Sequence, residues 1–277
     1  MQDLQVLQYG NATPLEGESS PELGPPVGRV LCICARAGHE ILFAGAALHR
    51  FAAHGGRVSL VALSARTPTL PPLRTLEATG LTRAHDALER SAIRLGIARF
   101  ELLEMPSPPL TLPDRLSLQA QLCALIRDER PELVLSEGTG VPSGAIDRQT
   151  AVALSEAAIA AAAAPLFGEH RRQGAPAHEV AERWLFAPPI GHGVYQRHIP
   201  MWEEAGFGQR AWLTSHVPAL VQLKWEALRC YLIDAPHIAP AAAVELLENE
   251  RFLQIPSPTS PLYRSMVRRT RRAAERN

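Results

Sequence analysis

The segment that most constrains this chain runs from Arg29 to Ala47, RVLCICARAGHEILFAGAA. Val30–Cys34 is apolar without interruption. Such a run suits a parallel strand covered on both faces, not a half-wet alternating one. A polar turn with Arg36, Gly38, His39 and Glu40 follows, and then a helix rich in small residues. Charged groups just past the carboxyl end of a buried strand stand where open α/β sheets bind ligands.

The same alternation continues. Ile41–His54 reads as a helix stopped by Gly55-Gly56, and Arg57–Leu63 as a second strand. An amphipathic helix is expected over Thr82–Leu95 and a strand over Phe100–Leu103. Asp114 is expected to cap a helix running to about Arg127. Leu133–Leu135 is a short strand, and 137–145 a glycine-containing loop. Thr150–Ala164 is an alanine-rich helix, and Arg183–Ala187 another strand. Later come a loop over 188–207 and helices over Val217–Ile233 and Pro240–Asn249. Strands alternating with helices of this length imply right-handed crossovers and a parallel sheet. The expected fold is therefore α/β, a single doubly wound, mainly parallel sheet flanked by helices, with a helical carboxyl end. It should occupy residues 29–255, after a flexible arm (1–28) rich in Pro, Gly and Ser and before a basic tail (256–277).

Composition narrows the function. Lys and Arg number 28, as do Asp and Glu, so no global field points to nucleic acid or to a membrane. No apolar run reaches the ~18 residues of a membrane span, and the amino terminus lacks the apolar segment of a signal peptide. Cys32, Cys34, Cys123 and Cys230 form no CxxC pair and read as buried thiols in a reducing compartment, so a cytoplasmic location is expected. No Gly-x-Ser-x-Gly elbow or phosphate-binding Gly-rich loop is present.

The order of these pieces resembles the LmbE-like (PIG-L) N-deacetylases, which open with an apolar strand, Ala-His-Pro-Asp-Asp-Glu and a Gly/Ala-rich helix. Here that slot reads Ala35-Arg36-Ala37-Gly38-His39-Glu40. The family's second signature, His-x-Asp-His after a Pro-x-x-Val strand, corresponds to Ala145-Ile146-Asp147-Arg148 following Pro131–Leu135. A late Lys-containing helix resembles Lys224-Trp225-Glu226-Ala227-Leu228. The resemblance implies a zinc-dependent N-deacetylase whose metal ligands are the first-motif His, the second Asp of that motif and the last His of the second motif. The first Asp is the general base. In this sequence those positions hold Arg36, His39, Arg148 and, for the base, Gly38. Arginine has no lone pair for a metal and carries a permanent positive charge. No metal and no cofactor are therefore expected, and catalytic residues cannot be assigned from the sequence.

The candidate binding residues are Arg36, His39, Glu40, Asp147 and Arg148, with His192 and Tyr195 on the loop over them. A metal site rebuilt from His39, His192, Tyr195 and His198 is the lesser reading of that loop. Two arginines suit a carboxylate or phosphate. The alternative is that Glu40, Asp147 or Glu137 neutralises them internally. Glu40 and Asp147 also read as helix caps. Two functions follow. One is a non-catalytic binding or accessory protein of a metabolite pathway, a pseudoenzyme. The other is a metal-independent enzyme acting on a carboxylate- or sugar-containing metabolite, with His39 moving a proton. A retained zinc deacetylase is the least favoured. The expected partners are a small anionic or sugar-containing ligand and a second copy or pathway protein, not nucleic acid or membrane.

Overall fold

The computed structural model describes residues 28–65, 81–138, 146–165, 175–187, 209–214, 218–231, 247 and 249–256. In chain order the elements are β1 Arg29–Cys34, α1 His39–Ala53, β2 Arg57–Ala62, α2 Leu81–Leu95, β3 Arg99–Leu102 and α3 Leu112–Glu129. They continue with β4 Leu133–Glu137, α4 Ile146–Ala163, β5 Glu182–Ala187, β6 Gln209–Thr214, α5 Pro218–Leu228 and β7 Asn249–Pro256. The strands form one sheet in the order β3-β2-β1-β4-β5-β7-β6. The first five run parallel, while β7 pairs antiparallel with β5 and β6.

Strand pleating divides the core. Val30, Cys32 and Cys34 of β1 face a layer that includes α1, α2 and α5. Leu31 and Ile33 face α3 and α4. β1 is thus covered on both sides, as its unbroken apolar run requires. Cys32 and Cys34 share a face with their sulfurs 3.6 Å apart, and all four cysteines are buried free thiols. α1 is buried from His39 to Ala52. Small residues let neighbours approach it: a Cβ on Gly45 would lie 3.2 Å from Lys224 Cγ. Among the described residues no helix is long and apolar enough to cross a membrane.

Several boundaries differ from those read in the sequence. α3 starts earlier, because Thr111 is its cap: the Thr111 hydroxyl accepts from Asp114 N–H and the Asp114 carboxylate from Thr111 N–H. α4 starts at Ile146, so Asp147 and Arg148 lie in its first turn, not in a loop before it. β4 extends to Glu137, which the sequence placed in the following loop. The expected helical carboxyl end is corrected: Asn249 begins strand β7, and β6 was not anticipated. Most of the helix expected over Pro240–Asn249 lies outside the described residues, as do residues 1–27 of the arm and 257–277 of the tail.

Candidate functional site

The sheet order reverses at β1. The chain runs outward through β2 and β3, then returns to place β4 on the other side of β1. In doubly wound sheets the crevice beyond the carboxyl ends of two such strands is the usual ligand position. Here β1 delivers Ala35, Arg36 and, at the start of α1, His39 and Glu40. β4 delivers Glu137, and α4 returns Asp147 and Arg148 to the same edge.

Glu137 is the centre of this arrangement, and its side chain is wholly buried. Its Oε1 accepts from Ala35 N–H at 3.2 Å and lies 2.7 Å from His39 Nδ1. Its Oε2 accepts from Arg148 Nε at 2.7 Å, with Arg148 Nη2 2.6 Å away. Burial alone would push the Glu137 carboxyl upward. The partners around it, His39, Arg148 and the Ala35 amide, outweigh burial and hold it below the usual carboxylate range. That direction does not require a charged His39, because the Arg148 guanidinium is a permanent cation. His39 itself is pushed down, first by burial and further by Arg148 and Arg36, against the pull of Glu137. A neutral His39 facing an ionised carboxylate must donate from Nδ1, which fixes its tautomer.

Arg36 completes a second pair. Its Nε donates to Asp147 Oδ2 at 2.6 Å, and Nη2 also contacts that oxygen. Both side chains are largely buried, and the partners are 111 residues apart in sequence. The Arg148 guanidinium carbon lies 4.8 Å from the Phe43 ring centroid, a cation–π distance. Phe43 also meets His39 edge-on at 5.2 Å. With His39 neutral, the described residues of the cluster set two guanidinium groups against two carboxylates.

Glu40 turns into a different layer. Its Oε1 accepts from Tyr231 Oη at 2.8 Å and Ser91 Oγ at 3.3 Å, and its Oε2 accepts from Gly38 N–H at 2.7 Å. Burial raises its pKa to about 7, although each of these donors favours the ionised form. Gly38 has φ 96°, a left-handed conformation that disfavours any side chain.

The structure therefore brings Arg36, His39, Asp147 and Arg148 together, and places Glu40 beside them but facing α2 and Tyr231. His192, Tyr195 and His198 lie outside the described residues. Sequence reasoning named Glu137 only as one of three internal counter-charges for the arginines, not as the centre of the site, and missed Ser91, Phe43 and Tyr231; the Arg148–Glu137 pair is that alternative. Glu137 carried a usable signal, a carboxylate ending an apolar strand just before glycines. Ser91 and Tyr231 carried none, since each sits on a helical or turn segment that reads as packing.

No protein-family model and no curated protein matches the chain. Solved structures do. N,N'-diacetylchitobiose deacetylase from Pyrococcus horikoshii is 18% identical, with a TM-score of 0.59 over 85% of this chain and 87% of that one. The deacetylase for the antimicrobial A40926 pseudoaglycone is 16% identical, with a TM-score of 0.51 over 82% and 97%. This chain has the fold of the LmbE-like deacetylases. GalB, the 4-carboxy-2-hydroxymuconate hydratase of Pseudomonas putida, shares this LmbE-like fold as well, at 18% identity and a TM-score of 0.55 over 82% and 95%. Identities this low speak for the LmbE-like architecture, not for the chemistry performed on it.

Proposed function

We propose that this chain is a diverged LmbE-like protein without zinc chemistry, acting as a binding or accessory protein in a metabolite pathway. The observation that carries the reading is the Arg36–Asp147 and Arg148–Glu137–His39 network. It occupies the positions where the resemblance would put metal ligands. The donor set does not suit a zinc ion. His39 donates Nδ1–H to Glu137, which leaves Nε2 as its one lone pair for an ion, and both Glu137 oxygens already accept hydrogen bonds. Arg36 and Arg148 stand where the other two ligands would be and have no lone pair to give, so one imidazole nitrogen remains in place of three ligands. At the base position, Gly38 has no group to accept a proton. The matched charges of the described residues also argue that a ligand meeting this edge finds a rigid polar surface, not two free cations. The buried free thiols fit action in a reducing compartment such as the cytoplasm.

A second reading rests on one specific contact. A histidine oriented by a buried carboxylate is also how a general base is prepared, and GalB is named a hydratase, so the fold hosts reactions besides deacetylation. In that reading His39 moves a proton for a carboxylate- or sugar-containing substrate.

Metal analysis of the purified full chain separates these from a retained deacetylase. The expected result is far less than one zinc per chain, with neither zinc nor chelator shifting the melting temperature, because no linkage exists. Stoichiometric zinc lost in His39→Ala, together with hydrolysis of an N-acetylglucosamine derivative, would overturn the proposal. Turnover that survives chelation but disappears in His39→Gln would establish the second reading in its place.

A further inference from the structure

A separate feature lies where the carboxyl ends of α2 and α5 meet. An open surface groove of about 410 Å³ lies there, lined by exposed Arg90, Arg94, Glu226 and Arg229 with buried Cys230 at its base. Its volume lies within the range of small-molecule sites, roughly 300–1,000 Å³. Among the described residues three guanidinium groups and one carboxylate line it. Arg90 and Arg94 are one helical turn apart on the same face of α2, an arrangement that costs stability when nothing neutralises it. Among the described residues no carboxylate forms an ion pair with Arg90, Arg94 or Arg229. Arg94 donates to the Arg90 carbonyl at 3.1 Å, and Glu226 accepts from Gln222 at 2.8 Å. Arg36, Arg99, Arg148 and Arg183, by contrast, are each held by a carboxylate.

Helix dipoles explain part of this. Arg94 is in the last turn of α2 and Arg229 directly follows α5, where cations are favoured. That accounts for basic residues near each end, but not for three of them lining one groove. Arginine forks grip phosphate and carboxylate oxygens bidentately. We infer that this groove binds a small, multiply charged anion of the phosphate or polycarboxylate class. The inference is independent of the function proposed above, because the groove shares no residue with the Arg36–Arg148 network.

The test is calorimetric titration of the full chain with pyrophosphate and, separately, with citrate, at low and at high sodium chloride. Saturable binding of at least one is expected, weakening with salt as charge is screened. Which of the two binds more tightly assigns the class. Arg90→Ala with Arg229→Ala should weaken that binding about tenfold or more. Arg115→Ala, exposed on α3 across the sheet, should leave it unchanged. If the double alanine variant does not fold, the double lysine variant at 90 and 229 keeps the charge but loses the fork, and should weaken binding severalfold. Absence of saturable binding of either anion up to about 10 mM would overturn the inference. So would an equal loss in Arg115→Ala, or unchanged affinity in the variants of Arg90 and Arg229.

Discussion

Gly38 stands where the resemblance implies the catalytic aspartate, and its backbone explains why restoring that residue is not simple. At φ 96° an aspartate would be strained. Its carboxylate would also be added next to Glu40, which accepts the Gly38 N–H. Gly38→Asp should therefore lower unfolding free energy by about 1–3 kcal/mol in a denaturant titration, without creating deacetylase turnover. A variant as stable as the parent, or an active one, would show that the turn relaxes and that position 38 is open to a base.

At the scale of elements, α1 is held from two directions. Glu250 of β7 accepts Ala46 N–H at 2.6 Å and Ala47 N–H at 3.0 Å, and it pairs with Lys224 Nζ of α5 at 2.7 Å. Lys224 and Glu250 are both wholly buried. Removing one member leaves the other charged and buried, so Lys224→Met should cost about 3–5 kcal/mol. The double variant Lys224→Met with Glu250→Gln should recover part of that loss. Chemical denaturation of all three proteins checks it; simple additivity would mean the pair is not coupled. This clamp also marks the limit of what the sequence revealed. The central parallel strands were legible because Val30–Cys34 and its counterparts are apolar runs between turn signals, and β3, half charged, from its place between the Gly96 helix stop and a proline-rich loop. β7 was not, because it opens with Asn249-Glu250-Arg251, which reads as solvated chain until Lys224 and two amides are known to bury Glu250. The site was legible as far as its arginines and His39. Glu137 was legible as a counter-charge for an arginine, but not as the centre of the site, because its partners come from 98 residues upstream as well as from the next helix.

For the molecule as a whole, the buried titratable groups pull stability in opposite directions. Glu40 has its pKa raised from 4.5 to about 7, so the folded state holds that proton more firmly than the unfolded chain. Its contribution is complete below the unfolded value and is lost as pH rises through about 7. Glu137 is shifted down and His39 also down, so their contributions are lost as pH falls. Comparing Glu40→Gln with the parent isolates the first effect. From about pH 4.5 to about pH 7 the parent should lose about 3 kcal/mol relative to the variant. Parallel profiles from urea unfolding at each pH would mean that Glu40 titrates normally.

The bonds from α1 to Glu250 also set an order of events during synthesis. Two amides of the first crossover helix find their shared acceptor, Glu250, 204 and 203 residues later. Domains begin to fold as the chain emerges, at roughly 5–20 residues per second. Until β7 appears, Lys224 has no counter-charge and the middle of α1 lacks its acceptor. At that rate β7 follows α1 by roughly 10–40 seconds of translation, and its arrival completes the buried clamp on α1.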